Sequence, residues 1–492
     1  MSNLSGFIKW FQASGGSIDI GSMGFVDFPP SEGGRGAVAL NDIPEGHTLF
    51  TIPRSLTLST RTSTLPKVFG LSEWKERKLH EGWVGLILCM MWEAANTSSS
   101  KWGPYLDTLP TEFSTPMFWP EDDLKALEGS SVVEKLGRDD AERDYYQKLI
   151  PAVESRPNLF LPDHISVYYS LEVYHVMGSR ILSRSFDVER WELDDSGEDA
   201  PTDQPDGAMD VDLPGPVNAQ GVDHTEGGSE GGDGSDEEDA SDTSMVPMAD
   251  MLNARYQTEN AKLFYEEKVL RMVSTKPIKA GEQIWNTYGD LPNAELLRRY
   301  GHVDLLPLGS GIDGNPGDVL ELRADLTISA ASSLDPTISP ESSKERIEWW
   351  LEEGGDDVFA LERESPLPDV LISFIHLISL GEDGWSKVQS KGKPPKPKID
   401  ALVLSIAIRS LEQKMKTYPT SLKQDEETLE TSLSLNKRNA LIVVMGEKRI
   451  LRDVLADCRS QLQALERKEA GQSKRRAEES DKGGAQAKKS RR

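Results

Sequence analysis

The chain has 492 residues, 37% hydrophobic and 28% charged, with a formal net charge of −27. That length predicts two domains plus tails. Two cysteines, Cys89 and Cys458, exclude a disulfide framework or a Cys-rich zinc cluster and predict a reducing compartment.

The charge is uneven. Residues 192–244 hold 18 Asp or Glu and no Lys or Arg, leaving about −9 for everything else. The last 22 residues reverse the sign, with eight basic residues against three acidic.

In chain order, the N-terminus lacks the charged start and apolar run of a signal peptide. Ser5 to Gly16 predicts a short amphipathic helix ended by Gly15-Gly16. Gly24–Phe28, Gly36–Leu40 and Thr48–Ile52 are short strands separated by Gly, Pro and Asn-Asp, which predicts a compact irregular β region. Trp74–Ala95, about Ala141–Ser155 and Asp163–Phe186 have helical apolar spacing. The most apolar run, Trp83 to Trp92, is too short to cross a bilayer.

The acidic stretch 192–244 holds too little apolar surface to offset its ordering entropy, which predicts disorder. Strands are expected over Val246–Ala254, Ala261–Tyr265, Val269–Ser274 and Gln283–Tyr288, and a helix over Asn293–Tyr300. Helices dominate from about Pro316: Ser343–Glu353, Leu367–Leu380, Ile399–Lys416 and a long one from about Glu426 to Lys468. No internal repeat interrupts this order.

Four segments hold candidate chemistry. Gly34-Arg35-Gly36-Ala37-Val38-Ala39 fits a dinucleotide fingerprint, but Leu40-Asn41-Asp42-Ile43-Pro44-Glu45-Gly46 follows where a helix is required. What remains is a glycine-flanked backbone that a ligand can approach, or an ordinary turn. Ser183-Arg184-Ser185-Phe186 offers a guanidinium fork suited to a carboxylate, or a surface ion pair. Val246 to Ala254 is apolar apart from Asp250 and Asn253, which need partners or ligands. Ile278 to Asp290 carries a Gly turn into a strand ending on Asn286-Thr287-Tyr288-Gly289. A Tyr at such an end can aim its hydroxyl into a pocket, or can be a core Tyr with a satisfied hydroxyl.

In this order the segments resemble the SET-domain lysine methyltransferases of the Rubisco large-subunit methyltransferase class, with closest likeness to the fungal ribosomal-protein lysine methyltransferases. The likeness runs through GGRGAVALNDIPEGHTLFTIP (ending at Pro53), SKWGPYLDTLP (100–110), SRSF (183–186), VPMADMLNA (246–254), STKPIKAGEQIWNTYGDLPNAELLRRYG (274–301) and ALIVVMGEKRIL (440–451). It implies an α+β fold: a SET β-fold with a pseudoknot and a helical insertion, then an all-α substrate-binding domain. The expected divisions are a catalytic domain over 1–301 with its helical insertion at about 70–190, the acidic insert at 192–244, the helical domain at 316–468 and a basic tail at 471–492.

The resemblance also implies roles. S-adenosylmethionine would lie along Gly34, Arg35 and Gly36, with Arg184 on its carboxylate and Asn253 at its amino-acid end. Tyr288 would be the active-site tyrosine and would also face the cofactor. Tyr300 would wall the lysine pocket. Backbone carbonyls near Arg184, Asp250 and Asn286 would surround the transferring methyl. Many members carry Asn-His where this chain has Asn253-Ala254, so a side-chain contact is lost while backbone contacts can remain.

Methyl transfer from a sulfonium is an in-line displacement, for which positioning supplies about 7–11 kcal/mol. A lysine, ordinarily near pKa ~10.4, loses its proton more readily when buried beside a second cation. No general-base carboxylate and no metal are required. The expected partners are a protein with an exposed lysine, a ribosomal protein of the large subunit first, with a histone or other nuclear protein, or a histidine acceptor, as alternatives. A non-catalytic cofactor-binding module is the remaining alternative. No membrane partner is expected. Lys474-Arg475-Arg476 and Lys488-Lys489-Ser490-Arg491-Arg492, eleven residues apart, have the form of a bipartite signal read by the nuclear import machinery. A basic solvating tail or a nucleic-acid contact is the alternative. The acidic insert can attract a basic substrate or remain passively solvated.

Overall fold

The computed structural model describes residues 4–28, 34–190, 241–308, 312–363 and 366–489. The chain divides into two compact units: Met1–Phe118 with Lys135–Leu291 and Glu295–Asp304, and Trp119–Glu134 with Pro292–Ala294 and Leu305–Arg492.

The first unit is built from short antiparallel strands, because Gly, Pro and Asn-Asp stop each run after a few residues. A four-stranded sheet has the order β1 (Ser17–Ile18), β4 (Thr48–Pro53), β8 (Val269–Ser274), β7 (Ala261–Tyr265). A second sheet has the order β2 (Met23–Asp27), β3 (Arg35–Ala39), β9 (Gln283–Ile284). Thus both sheets join strands from the first 53 residues to strands beyond residue 260, and neither half completes a sheet alone. Alternation in β8 buries Leu270, Met272 and Ser274 while Arg271 stays outside. Phe7, Phe11, Leu49, Phe50, Ile52 and Leu58 join Leu270 and Met272 in one core, each such apolar side chain stabilising by about 1.5–3 kcal/mol.

The predicted helices form, with breaks where capping residues intervene. Trp74–Ala95 is two helices, Leu71–Glu76 and Val84–Ala95, parted by Lys78 and Gly82 at positive φ. Asp163–Phe186 breaks at Ser170, whose side chain accepts from the Val173 N–H and starts Leu171–Arg184.

That helix runs into β5 (Ser185–Glu189), which pairs over five residues with β6 (Ser241–Met245). The acidic stretch therefore opens from a hairpin. Its residues 192–240 lie outside the described residues. Its last four, Ser241 to Ser244, correct the expected boundary: backbone pairing with β5 and the Arg190–Asp242 ion pair at 2.8 Å hold them in a strand. Excising 192–240 across a short linker is expected to move the melting temperature by under ~4 °C, whereas excising 192–244 removes β6 and lowers it much further. Calorimetry of the two deletions checks this; equal losses contradict it.

The second unit is mainly helical: Ala324–Leu334, Pro340–Glu352, Asp369–Ile378, Glu382–Lys391, Ala401–Met415, Leu422–Leu429 and Leu435–Lys489. Two ribbons that apolar spacing did not anticipate accompany them: Leu306–Pro307 with Asp313–Gly314, and Val319–Arg323 with Val358–Glu362. The expected long helix is two, because Thr431 turns back on Thr428 through both its N–H and its hydroxyl.

Candidate active site

Chain leaving β6 is pinned by two hydrogen bonds of 2.9 Å between Met245 and Leu58. It then enters the run Val246–Asn253, buried as far as Leu252. The expected strand over Val246–Ala254 does not form. Pro247 has no N–H to donate, Met248 takes φ +79°, and Ala249–Met251 makes a single 3-10 turn. An apolar run alone does not separate these two outcomes.

The turn feeds Asn253–Ala254 alongside Asn286, through a parallel bridge between Ala254 and Asn286 and a 2.9 Å bond from the Asn286 N–H to the Asn253 carbonyl. So the segments on either side of β7 and β8 meet where the resemblance places the pseudoknot. Ala254 keeps its backbone contact without an imidazole. The expected strand Gln283–Tyr288 shortens to Gln283–Ile284. Asn260 holds the residues after it, accepting from the Trp285 N–H at 2.8 Å and donating to the Gln283 carbonyl at 3.0 Å.

The sequence-predicted residues fall into one group and one outlier. Arg184, the last residue of its helix, donates through Nη1 to the Asp250 carbonyl at 2.6 Å. Tyr288 donates its hydroxyl to the Leu252 carbonyl at 3.3 Å and stacks on Tyr300, rings 4.3 Å apart and 7° from parallel. Asn253 donates through Nδ2 to Gln283 Oε1 at 2.9 Å. Gly36 lies against both: a Cβ there would sit 2.5 Å from Gln283 Oε1 and 2.6 Å from Asn253 Nδ2, so only Gly permits this approach. Gly34 precedes β3 at φ +67°. Arg35 stands apart, its guanidinium on Asp27 at 3.0 Å across the β2–β3 pair.

Tyr105 escaped the sequence reading. Its hydroxyl donates to Asp250 Oδ2 at 3.0 Å, both groups buried. The segment Ser100–Pro110 carried the family likeness, but no local signal gave Tyr105 a partner 145 residues away. Gln283 was missed for the same reason.

The electrostatics follow from burial. Desolvation pushes the Asp250 carboxyl up to about 6, against the lowering effects of the Arg184 guanidinium and the Tyr105 hydroxyl. Burial likewise raises Tyr288, with Arg184 pulling it down and Asp250 pushing it up. The phenol therefore stays neutral and able to donate at physiological pH.

The raised Asp250 means that the folded chain holds this proton more tightly than the unfolded one. Its contribution is fully present below pH ~4 and is lost as pH rises through about 6. About two pH units at ~1.4 kcal/mol each make about 3 kcal/mol. Asp250→Asn is expected to gain that much on wild type between pH 4 and 7 in denaturant unfolding. A pH-independent difference contradicts it.

Does this arrangement fit a cofactor with an amino-acid end? Arg184 Nε and Asp250 Oδ1 are buried without hydrogen-bond partners among the described residues. An unmet guanidinium N–H matches a carboxylate, and the space left by the missing Cβ of Gly36 lies beside Asn253. The residues fit.

A strand fold that brings together Arg184, the Asn253–Asn286 junction and a stacked tyrosine pair agrees with the SET-domain arrangement that the resemblance implies. The SET-domain family profile matches residues 34–289, more than half of the chain, and the chain belongs to that family. The family described as Rubisco LSMT substrate-binding matches residues 341–451. Among curated relatives, N-lysine methyltransferase setd6 of Xenopus laevis is 27% identical over 481 residues, covering 91% of this chain and 94% of the relative. Ribosomal lysine N-methyltransferase 4 of Saccharomyces cerevisiae is 33% identical over 276 residues, covering 55% of this chain and 49% of the relative. The solved structure of Rubisco LSMT bound to sinefungin and monomethyllysine superposes with a TM-score of 0.62 at 19% identity, over 95% of this chain and 94% of that one. That likeness bears on the fold.

Proposed function

We propose that this chain methylates a lysine of a ribosomal protein of the large subunit. By its family and by relatives matched over nearly their whole length, the chain is an S-adenosylmethionine-dependent protein-lysine N-methyltransferase. The observation that carries the reading is the convergence of Arg184, Asp250 and Tyr288, with Arg184 Nε buried and unmet among the described residues and Gly36 set against Asn253.

Arg184 Nε would receive the cofactor carboxylate, and Gly36 and Asn253 would border its amino-acid end. Bound there, S-adenosylmethionine supplies a methyl on a positive sulfur. Arg184 also holds the Asp250 carbonyl, and so fixes the strand-to-turn backbone on which that oxygen stands. Tyr105 holds the Asp250 side chain from the other side. Tyr288, kept neutral by burial and flat against Tyr300, would orient the incoming amine and offer its oxygen to the methyl, a contact of about 0.5–1 kcal/mol. Backbone carbonyls at Asp250 and Asn286 would complete the surround. None of these groups needs to take a proton. An amine entering such a buried, cationic site loses its own to water.

The ribosomal acceptor is supported by the yeast relative's name and by the segments quoted above. Among the described residues no helix is long and apolar enough to cross a membrane. The basic clusters at 474–476 and 488–492 support passage into the nucleus through the import machinery.

The test is incubation with labelled S-adenosylmethionine and either purified large ribosomal subunits or ribosome-depleted nuclear extract. Label on one lysine of a large-subunit protein is the expected result. Label confined to the nuclear extract overturns the ribosomal assignment and leaves lysine methylation standing.

A further inference from the structure

The second unit contains a cavity of about 390 Å³. One side is a single face of the helix Leu435–Lys489, where Arg438, Ile442, Met445 and Arg449 recur at helical spacing. Gly446 lies on the same face. A Cβ there would sit 2.6 Å from Asp318 Oδ2, so its absence lets the buried Asp318 carboxyl close against the helix. Asp318 is already engaged, accepting from the Asn293 N–H at 2.8 Å.

Arg363, at the end of the strand Val358–Glu362, lines the same cavity, and its Nη2 is buried with no hydrogen-bond partner among the described residues. A buried guanidinium N–H left unmet is destabilising until a ligand accepts from it. Arg449 is partly committed, 3.7 Å from Glu426 and donating to the Asp313 carbonyl at 3.2 Å. Arg438 is exposed. The cavity therefore offers the unmet Nη2 of Arg363, whose charge the Asp318 carboxyl already feels, and an exposed guanidinium on Arg438, with Ile442 and Met445 adding apolar lining. That donor geometry suits a planar carboxylate. The apolar wall suits an aliphatic side chain next to it, and the volume is that of a small pocket.

We propose that this cavity docks an acidic, aliphatic-containing segment of the protein substrate. Its carboxylates meet Arg363 and Arg438, and its aliphatic side chain rests on Ile442 and Met445. The proposal rests on the reading of the chain as a protein methyltransferase, and it deepens that reading by giving the second unit a definite ligand chemistry.

The experiment is fluorescence anisotropy of a labelled dodecapeptide of Asp, Glu and Leu against the full chain, beside the same peptide with Asn and Gln for its acids. The acidic peptide is expected to bind at least tenfold more tightly than the amide peptide, and to weaken as salt rises. Arg363→Gln and Arg438→Glu are each expected to lower its affinity at least fivefold without changing S-adenosylmethionine binding by calorimetry. Arg438 is exposed, so its variant reports even where Arg363→Gln disturbs folding. Equal binding of the two peptides, or wild-type affinity in Arg438→Glu, overturns the proposal. So does peptide binding that appears only when residues 192–240 are deleted, which assigns the cavity to the chain's own acidic stretch. Peptide binding needs no methyl transfer, so its failure leaves the enzymatic reading intact, and a chain that binds the peptide but labels nothing fails on the other count.

Discussion

Tyr288→Phe is expected to fold as wild type, to bind S-adenosylmethionine with unchanged affinity, and to lose turnover by on the order of 10²-fold. The ring keeps its stacking on Tyr300, so packing is preserved. The hydroxyl's bond to the Leu252 carbonyl is long, at 3.3 Å, and its loss costs the fold about 1 kcal/mol or less. What disappears is the oxygen that would order the amine and face the methyl. Oriented polar contacts of this kind carry about 3–4 kcal/mol of transition-state stabilisation when water is excluded. Single-turnover rates at saturating cofactor, with calorimetry for binding, separate the two effects. Wild-type kcat would remove Tyr288 from the chemistry and return it to the core-tyrosine reading.

The largest effect on stability is expected at Lys448→Met. Lys448 and Asp425 form a fully buried ion pair joining the helices Leu422–Leu429 and Leu435–Lys489. Thr420 serves both partners, receiving a bond from Lys448 and donating to Asp425 Oδ1. Removing the lysine leaves a buried carboxylate without its counter-charge, beside the Thr420 hydroxyl. Breaking one side of such a pair costs about 3–5 kcal/mol. Lys448→Met combined with Asp425→Asn is expected to recover most of that, because the uncompensated charge is gone. Urea midpoints of the single and double variants check this, and a single variant within ~1 kcal/mol of wild type contradicts it.

Much of the fold was legible because its signals are local. The short strands near residues 24–52 and 261–274 are bounded by turn residues, and the helices show apolar spacing. The breaks were less legible. Ser170 starts a helix inside a continuous helical pattern, and Thr431 stops one, each through a side-chain bond that competes with the helical ladder. The run Val246–Ala254 reads as a strand by its apolar content. Its backbone is set instead by Pro247, by Met248 at positive φ and by contacts with Leu58 and Asn286, which are distant in sequence.

The site shows the same division. Arg184, Asn253, Tyr288 and Tyr300 are singled out because the order of their motifs carries a family likeness, whereas each motif alone supports a duller reading. Arg35 lies in the same motif as Gly36, and its guanidinium is on Asp27. Tyr105 and Gln283 show the converse. Neither residue type marks itself, and their bonds to Asp250 and Asn253 exist only once the chain has folded. The Arg363 cavity belongs to that class too, since its residues are spread from 305 to 449.

One measurement bears most directly on the central claim. The purified chain is incubated with labelled S-adenosylmethionine and an acceptor protein, the product is hydrolysed, and the labelled amino acid is identified. Methylated lysine, abundant with wild type and nearly absent with Tyr288→Phe, is the result expected here. Methylated histidine, or cofactor binding with no labelled residue at all, would contradict it.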